Sequence, residues 1–304
     1  MLAEGVIKQL LNTKPGDVLN QIRKNSPLIW NISNFVSMDI AANALLAFGA
    51  SPAMAHAIEE AESFSQICKA INGALTINIG TFDKYWQECA MKIVLKANEA
   101  QVPWVLDPVG AGASEFRNKN ATELLKLKPT VLRGNASEII SISDSQGGGK
   151  GVDSTAESNE ALDAAKSLAI KHQIVVAVTG EVDYVTDGIK TLLVHGGNIM
   201  MTKVTATGCA LTCLIGAGLT TDQDTIKSTA NILGIYGLAA DMACKDCNGP
   251  GSLKTRLMDS LYNITPDYVD EKIKSPGLKI NLPPYFSTTF NSFFVSILSR
   301  FLYS

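Results

Sequence analysis

Short apolar runs alternate with longer amphipathic stretches along most of the chain. LIWNI (28–32), LTINI (75–79), WVL (104–106), TVL (130–132) and IVVAV (174–178) have the length and composition of strands. Helical spacing of the apolar positions covers 37–48, 58–71, 83–100, 120–127 and 158–171. Apolar strands separated by helices predict an α/β fold, a mostly parallel central sheet with helices on both faces. YVTDG and TLLVHGG predict a β-hairpin turning near Asp187–Gly188–Ile189. From residue 205 the chain reads mainly as helix, including 224–243 and 251–262. CALTCLIGAGL (209–219) is apolar or small throughout, which predicts a buried helix. QGGGKG (146–151) reads as a surface loop too short to divide the chain, so a single domain is expected.

Composition narrows the functional classes. A net charge of −3 with scattered Lys and Arg gives no basic patch, which argues against a nucleic-acid partner. No apolar run reaches the ~18 residues of a membrane span. The first residues, MLAEGVIKQLLNTKPGD, lack the pattern of a signal peptide. Six cysteines in 304 residues are too sparse for a disulfide scaffold, and a cytoplasmic location is expected. Cys244 and Cys247 form a CxxC, but zinc wants a second CxxC or a spaced histidine pair. His56, His172 and His195 each stand alone, so the two thiols are expected to be an ordinary pair near a helix end.

Each predicted strand runs into polar or glycine-containing punctuation. These ends are Asn31-Ile-Ser-Asn34, Asn78-Ile-Gly-Thr81, Asp107-Pro108, Arg133-Gly-Asn135 and Thr179-Gly-Glu181. Turns of this composition are common between strands and helices. Five together, at the carboxyl ends where parallel sheets bind ligands, have the character of an active-site floor.

Asp107 of DPVGAGAS can face a magnesium ion opposite phosphate oxygens, or cap the next helix. Arg133 of RGNASE can clamp a phosphate with paired hydrogen bonds, and Glu138 can share a metal with Asp107. The Thr179 hydroxyl can reach a phosphate or a nucleotide edge, and Gly180 allows close backbone approach. In KVTATGCALTC, Thr207 and Gly208 open a helix whose free N–H groups attract phosphate. Cys209 then stands at the mouth of that anion site. No P-loop or dinucleotide fingerprint is present, so ATP would bind without either.

TATGC, with NIGT, DPVGAGA, RGNASE, KGVDS and TGEVD in the same order, resembles the hydroxyethylthiazole kinase branch of the ribokinase-like small-molecule kinases. The likeness runs from about Val18 to about Lys274 and includes FGASPAMAHAIEE (48–60). It implies a ribokinase-like fold and phosphorylation of 4-methyl-5-(2-hydroxyethyl)thiazole by ATP with Mg2+. By the same resemblance Met54 and Ala206 are substrate-binding positions, and Arg133, Thr179, Thr207 and Gly208 bind ATP or phosphate. Asp107 and Glu138 are the magnesium-associated acids, and Cys209 stands beside the reacting hydroxyl. A homotrimer with sites at subunit interfaces is implied too.

The chain departs from the family's pattern twice. Ala206 replaces the usual glycine of the anion-hole turn; use of its N–H alone is the expected reading, with no need for a positive φ. The domain is taken as 1–274, and the apolar segment 275–304 no longer resembles the family. At Cys209 a helix N-terminus is expected to lower the thiol pKa toward the range of a weak base, while substrate fit alone stays open. Another vitamin kinase acting on hydroxymethylpyrimidine or pyridoxal remains an alternative, as does a catalytically silent binding protein.

Overall fold

The computed structural model describes residues 14–145, 154–221, 224–273 and 277–280. A nine-stranded sheet runs in the order β2-β1-β3-β4-β5-β6-β7-β8-β9. Its strands are β1 (Leu28–Ile32), β2 (Ser51–Ala53), β3 (Ala74–Asn78), β4 (Trp104–Asp107), β5 (Val131–Asn135), β6 (Val175–Thr179), β7 (Val182–Thr186), β8 (Lys190–His195) and β9 (Gly277–Ile280). The six strands β1 to β6 pair in parallel. β6, β7 and β8 pair antiparallel, which includes the expected hairpin, and β9 adds antiparallel to β8. The rest of the 275–304 segment, apart from β9, lies outside the described residues, as do QGGGKG and most of KGVDS.

Helices cover both faces, as a parallel sheet with apolar strands requires. On one face lie α1 (Pro15–Asn25), α2 (Met38–Phe48), α8 (Thr207–Gly218), α9 (Thr225–Lys245), α10 (Pro250–Asn263) and α11 (Pro266–Lys272), packed with Ile29, Val105, Val131 and Ala177. On the other lie α3 (Ala61–Ala70), α4 (Lys84–Glu99), α5 (Glu115–Lys126), α6 (Ala136–Ser145) and α7 (Ser154–His172), packed with Trp30, Leu75, Leu106 and Val176. Neighbouring residues on a strand point to opposite faces, which is why Ile29 and Trp30 join different cores.

Several expected boundaries move. The segment expected to be helical from 120 starts at Glu115, where the Ser114 hydroxyl accepts from the Arg117 N–H and caps the helix. The 58–71 segment divides into a 3-10 turn at Ile58–Glu60 and α3. Helix α1 and the edge strand β2 were not anticipated. α8 is buried from Ala210 to Gly218, as its composition requires, while Thr207, Gly208 and Cys209 at its start are half-buried. Among the described residues, no helix is long and apolar enough to cross a membrane.

Candidate active site

The strand parity that builds the core also builds the site. Val105 belongs to the α8 face, so Asp107, two residues on, points the same way. Asn78 is its register partner on β3. Arg133, two residues beyond Val131, emerges on that face from β5. The loops after these strands therefore deliver their polar groups to the N-terminus of α8.

Asp107 is fully buried, and its Oδ2 accepts from Asn78 Nδ2 (2.8 Å) and Thr212 Oγ1 (2.8 Å). Its Oδ1 has no hydrogen-bond partner and lies 3.8 Å from Arg133 Nη1. Burial pushes Asp107 up to about 6, with Arg133 pulling it down and Glu138 pushing it further up. The helix-cap reading of Asp107 is thereby displaced, since Ser114 caps α5. Arg133 Nη2 donates to Thr179 Oγ1 at 2.6 Å. A Cβ on Gly208 would stand 2.8 Å from Arg133 Nη1, so only glycine lets the guanidinium lie against the start of α8.

That helix start is uncapped by any side chain, and its internal ladder begins with Ala210 N–H to Ala206 C=O (3.0 Å). The N–H groups of Thr207, Gly208 and Cys209 are thus free of helical partners. Tyr236 Oη donates to Thr207 C=O (2.9 Å) and pins the turn from α9. Beside it opens a cavity of about 730 Å³, lined among others by Arg133, Thr179, Asp183, Gly197, Thr207 and Tyr236. A cavity of this size suits a nucleotide, with cation and helix N–H groups at one end.

The Hydroxyethylthiazole kinase family profile matches residues 19–267. A hydroxyethylthiazole kinase of Rhizobium rhizogenes is 46% identical over 86% of this chain and 97% of its own length. One from Arabidopsis thaliana is 44% identical over 81% of this chain and 88% of its own. The chain belongs to the hydroxyethylthiazole kinase family. The solved structure of the family's protein from Pyrococcus horikoshii superposes with a TM-score of 0.79 at 37% identity, covering 88% of this chain and 99% of that one. A pyridoxal kinase from Staphylococcus aureus shares the fold alone, at a TM-score of 0.54 and 13% identity. The chain is accordingly a kinase with a ribokinase-like fold.

Two family positions behave otherwise than expected. Ala206 has φ 64 and ψ 9, so the turn needs a left-handed residue and the expected N–H-only reading is corrected. Holding alanine there costs roughly 1 kcal/mol. Ala206→Gly is expected to raise unfolding stability by up to about 1 kcal/mol, less what glycine's freedom in the unfolded chain takes back. Thermal melts of the two chains check it.

The second correction concerns Cys209. Burial raises its pKa, and the Asp107 charge raises it further, outweighing Asn78, Asn34 and Arg133. The thiol is therefore held protonated at neutral pH, against the expectation of a lowered value. Asn34 Nδ2 approaches Cys209 Sγ at 3.6 Å and donates to Asn78 Oδ1 at 2.7 Å. Asn34 Oδ1 accepts from the N–H groups of Val36 and Ser37, which fixes the orientation of the amide.

Glu138 serves the local backbone. Its Oε2 accepts from the Asn135 N–H (2.9 Å), while Asn135 Oδ1 accepts from the Glu138 N–H (2.9 Å), a capping box at the start of α6. Its Oε1 accepts from the Gly110 N–H (2.9 Å), tying the loop after β4 to α6. Arg117 donates to the carbonyls of Ile79, Gly80 and Val109, tying the loops after β3 and β4 together. Met54 follows β2, whose Ala53 is the register partner of Trp30, so it lies at the same end of the sheet as Asn34. No hydrogen bond recorded among the described residues links Met54 to Cys209.

Sequence reasoning passed over Thr212 and Asp183, and placed Asn34 and Asn78 at strand ends without giving either a role. Asp183 faces the cavity, and burial pushes it up to about 6 while the Gly180 N–H and Arg133 pull it down. The signal for Asn78 was its position at the end of a strand beside Asp107. Thr212 had a signal too, lying one turn beyond Cys209 on α8.

The residues fit a magnesium ion in one respect that geometry supplies. Asp107 Oδ1 is a buried carboxylate oxygen with nothing bonded to it. Among the described residues no set of three or more His, Cys, Asp or Glu converges on one point. Magnesium held by one or two carboxylates, substrate phosphates and waters does not need one.

Proposed function

We propose that the protein transfers the γ-phosphoryl group of ATP to the hydroxyethyl group of 4-methyl-5-(2-hydroxyethyl)thiazole, giving the thiazole phosphate used to make thiamine phosphate. The observation that carries this reading is the Arg133 guanidinium beside the free N-terminus of α8 at one end of the cavity, with the unpartnered, buried Asp107 oxygen 3.8 Å behind it. ATP occupies the cavity with its phosphates toward Thr207, Gly208 and Cys209. Arg133 and Thr179 hold phosphoryl oxygens, and the α8 N–H groups receive the charge that develops during transfer. The alcohol oxygen bonds to phosphorus as the bond to the ADP oxygen breaks, and the alcohol proton passes to an oxygen of the transferred phosphoryl group and from there to water. Asp107 would hold a magnesium ion brought with ATP, which would supply neutralisation of the phosphate charge, and Glu138 fixes the loop after β4 through the Gly110 N–H.

Cys209 lines the place of the reacting alcohol and keeps its own proton. Removing a general base costs about 10²–10⁴-fold. Cys209→Ala is expected to lower kcat by less than about 30-fold, a packing effect; a loss of 10³-fold in an otherwise folded variant would restore the base reading. Steady-state kinetics with saturating ATP provides the number.

The substrate end is open at Phe35 (67% exposed) and Val36 (59%), next to Trp86, which stacks on His56 and meets Phe35 edge-on. Met54 lies at this end, and a second copy of the chain closes it in the homotrimer that the family resemblance implies. Residues 1–274, extended by the pairing of β9 with β8, act as one kinase domain in the cytoplasm. Isothermal titration of ADP with and without magnesium tests the nucleotide half of this reading: magnesium-enhanced binding is expected, and no ADP binding under either condition overturns it.

A further inference from the structure

Two sulfur atoms, of Cys247 and Met200, meet on the far side of the cavity wall, away from the transfer chemistry, and Cys244 stands one helical turn before Cys247. Cys247 Sγ lies 3.5 Å from Met200 Sδ, a contact between residues 47 apart in sequence. Cys247 Sγ also sits 3.5 Å from Cys244 C=O. Both thiols are free and only half-buried, so a solute can reach them. The CxxC alone was unremarkable in the sequence; the thioether that completes the group comes from the 3-10 turn Ile199–Lys203.

We propose that Cys244, Cys247 and Met200 form a binding site for a soft monovalent cation, copper(I), held by two thiolates and one thioether. Cysteine and methionine sulfur select copper(I), which is satisfied by few soft donors. Zinc needs four ligands, and among the described residues no third His, Cys, Asp or Glu joins this pair. Metal–sulfur bonds of about 2.3 Å place three donors around one ion about 4 Å apart, so the observed 3.5 Å contact needs little movement. Cys244 lies in the last turn of α9, and carbonyl groups at a helix C-terminus favour a cation. Binding releases the two thiol protons to solvent and changes no oxidation state.

The site has a position of consequence. Ile199, Met201 and Thr202 of the same turn line the nucleotide cavity, while Met200 packs behind them against α9 and α10. Copper at this point fixes the turn from its rear side.

The test is an anaerobic titration of the full-length reduced protein with copper(I), kept reduced by ascorbate, against the coloured chelator bicinchoninate. The wild type is expected to withdraw one equivalent from the chelator. Cys247→Ser is expected to lose that equivalent, and Met200→Leu to bind at least tenfold more weakly, with far-ultraviolet circular dichroism and an unchanged melting temperature recording that both variants are folded. A Cys247→Ser chain that titrates like the wild type overturns the site. A Met200→Leu chain with unchanged affinity overturns the three-sulfur assignment, and zinc retained as tightly as copper(I) overturns the choice of ion. Because the readout is metal bound per chain, it succeeds or fails independently of the kinase reading.

Discussion

Replacing Arg133 by methionine is expected to lower kcat/KM by at least about 10³-fold, the scale on which an arginine at a transferring phosphoryl group acts. Methionine keeps most of the length and the apolar stem while removing the charge and the donors. Three contacts go at once: the 2.6 Å bond to Thr179, the 3.8 Å ion pair with Asp107 and the approach to Gly208. Arg133 also pulls the Asp107 carboxyl down, so its loss leaves that group still higher than about 6. The variant should therefore lose activity earlier on the acid side than the wild type. Lysine is expected to rescue little, because a point charge cannot span a phosphate and Thr179 together. A loss within tenfold, measured on a chain whose melting temperature is unchanged, would remove Arg133 from the transfer step.

The second large effect has two opposite parts. Asp107→Asn is expected to lower turnover by about 10³-fold or more while raising unfolding stability. Asp107 stands at about 6 in the fold against 3.8 as its ordinary value. A carboxyl raised on folding is most favourable to the folded state below its unfolded pKa. Its contribution then declines as pH rises toward about 6, where the charge appears without water around it. The shift corresponds to about 3 kcal/mol at neutral pH, an upper figure for what asparagine can recover. A rise of about 1–3 kcal/mol is expected, largest near neutral pH and vanishing below pH ~4. Denaturant unfolding across that range, beside kinetics at neutral pH, measures both parts. A variant that is both inactive and less stable would mean that the buried carboxylate is compensated in the fold rather than tolerated for its chemistry.

How much of this was legible depended on period and position. The polar punctuation after each apolar run placed Asp107, Arg133 and Thr179 at carboxyl ends, and the structure brings Arg133 to 3.8 Å from Asp107 and 2.6 Å from Thr179. Asn78 stood among the same strand ends, but its pairing with Asp107 follows only from the register between β3 and β4. Helix α1 carried readable signals in Pro15 at its first position and in Val18, Leu19 and Ile22, with Asp17 in the first turn. The three-residue strand β2, with Pro52 at its centre, offers no period at all. At Ala206 the family's usual glycine offered a left-handed reading, and only the turn's geometry decides in its favour. Cys209 was misjudged because the helix N-terminus was weighed and the surrounding burial, with Asp107 close by, was not visible. Met200 reaches Cys247 only through tertiary packing.

The most direct measurement is ADP release by the purified full-length chain, with magnesium and ATP and with each of three alcohols offered separately. The alcohols are 4-methyl-5-(2-hydroxyethyl)thiazole, pyridoxal and hydroxymethylpyrimidine. Release that depends on the thiazole alcohol, with the other two at the substrate-free background, is the predicted result. Silence with the thiazole alcohol, or release with pyridoxal or hydroxymethylpyrimidine that equals it, contradicts the account.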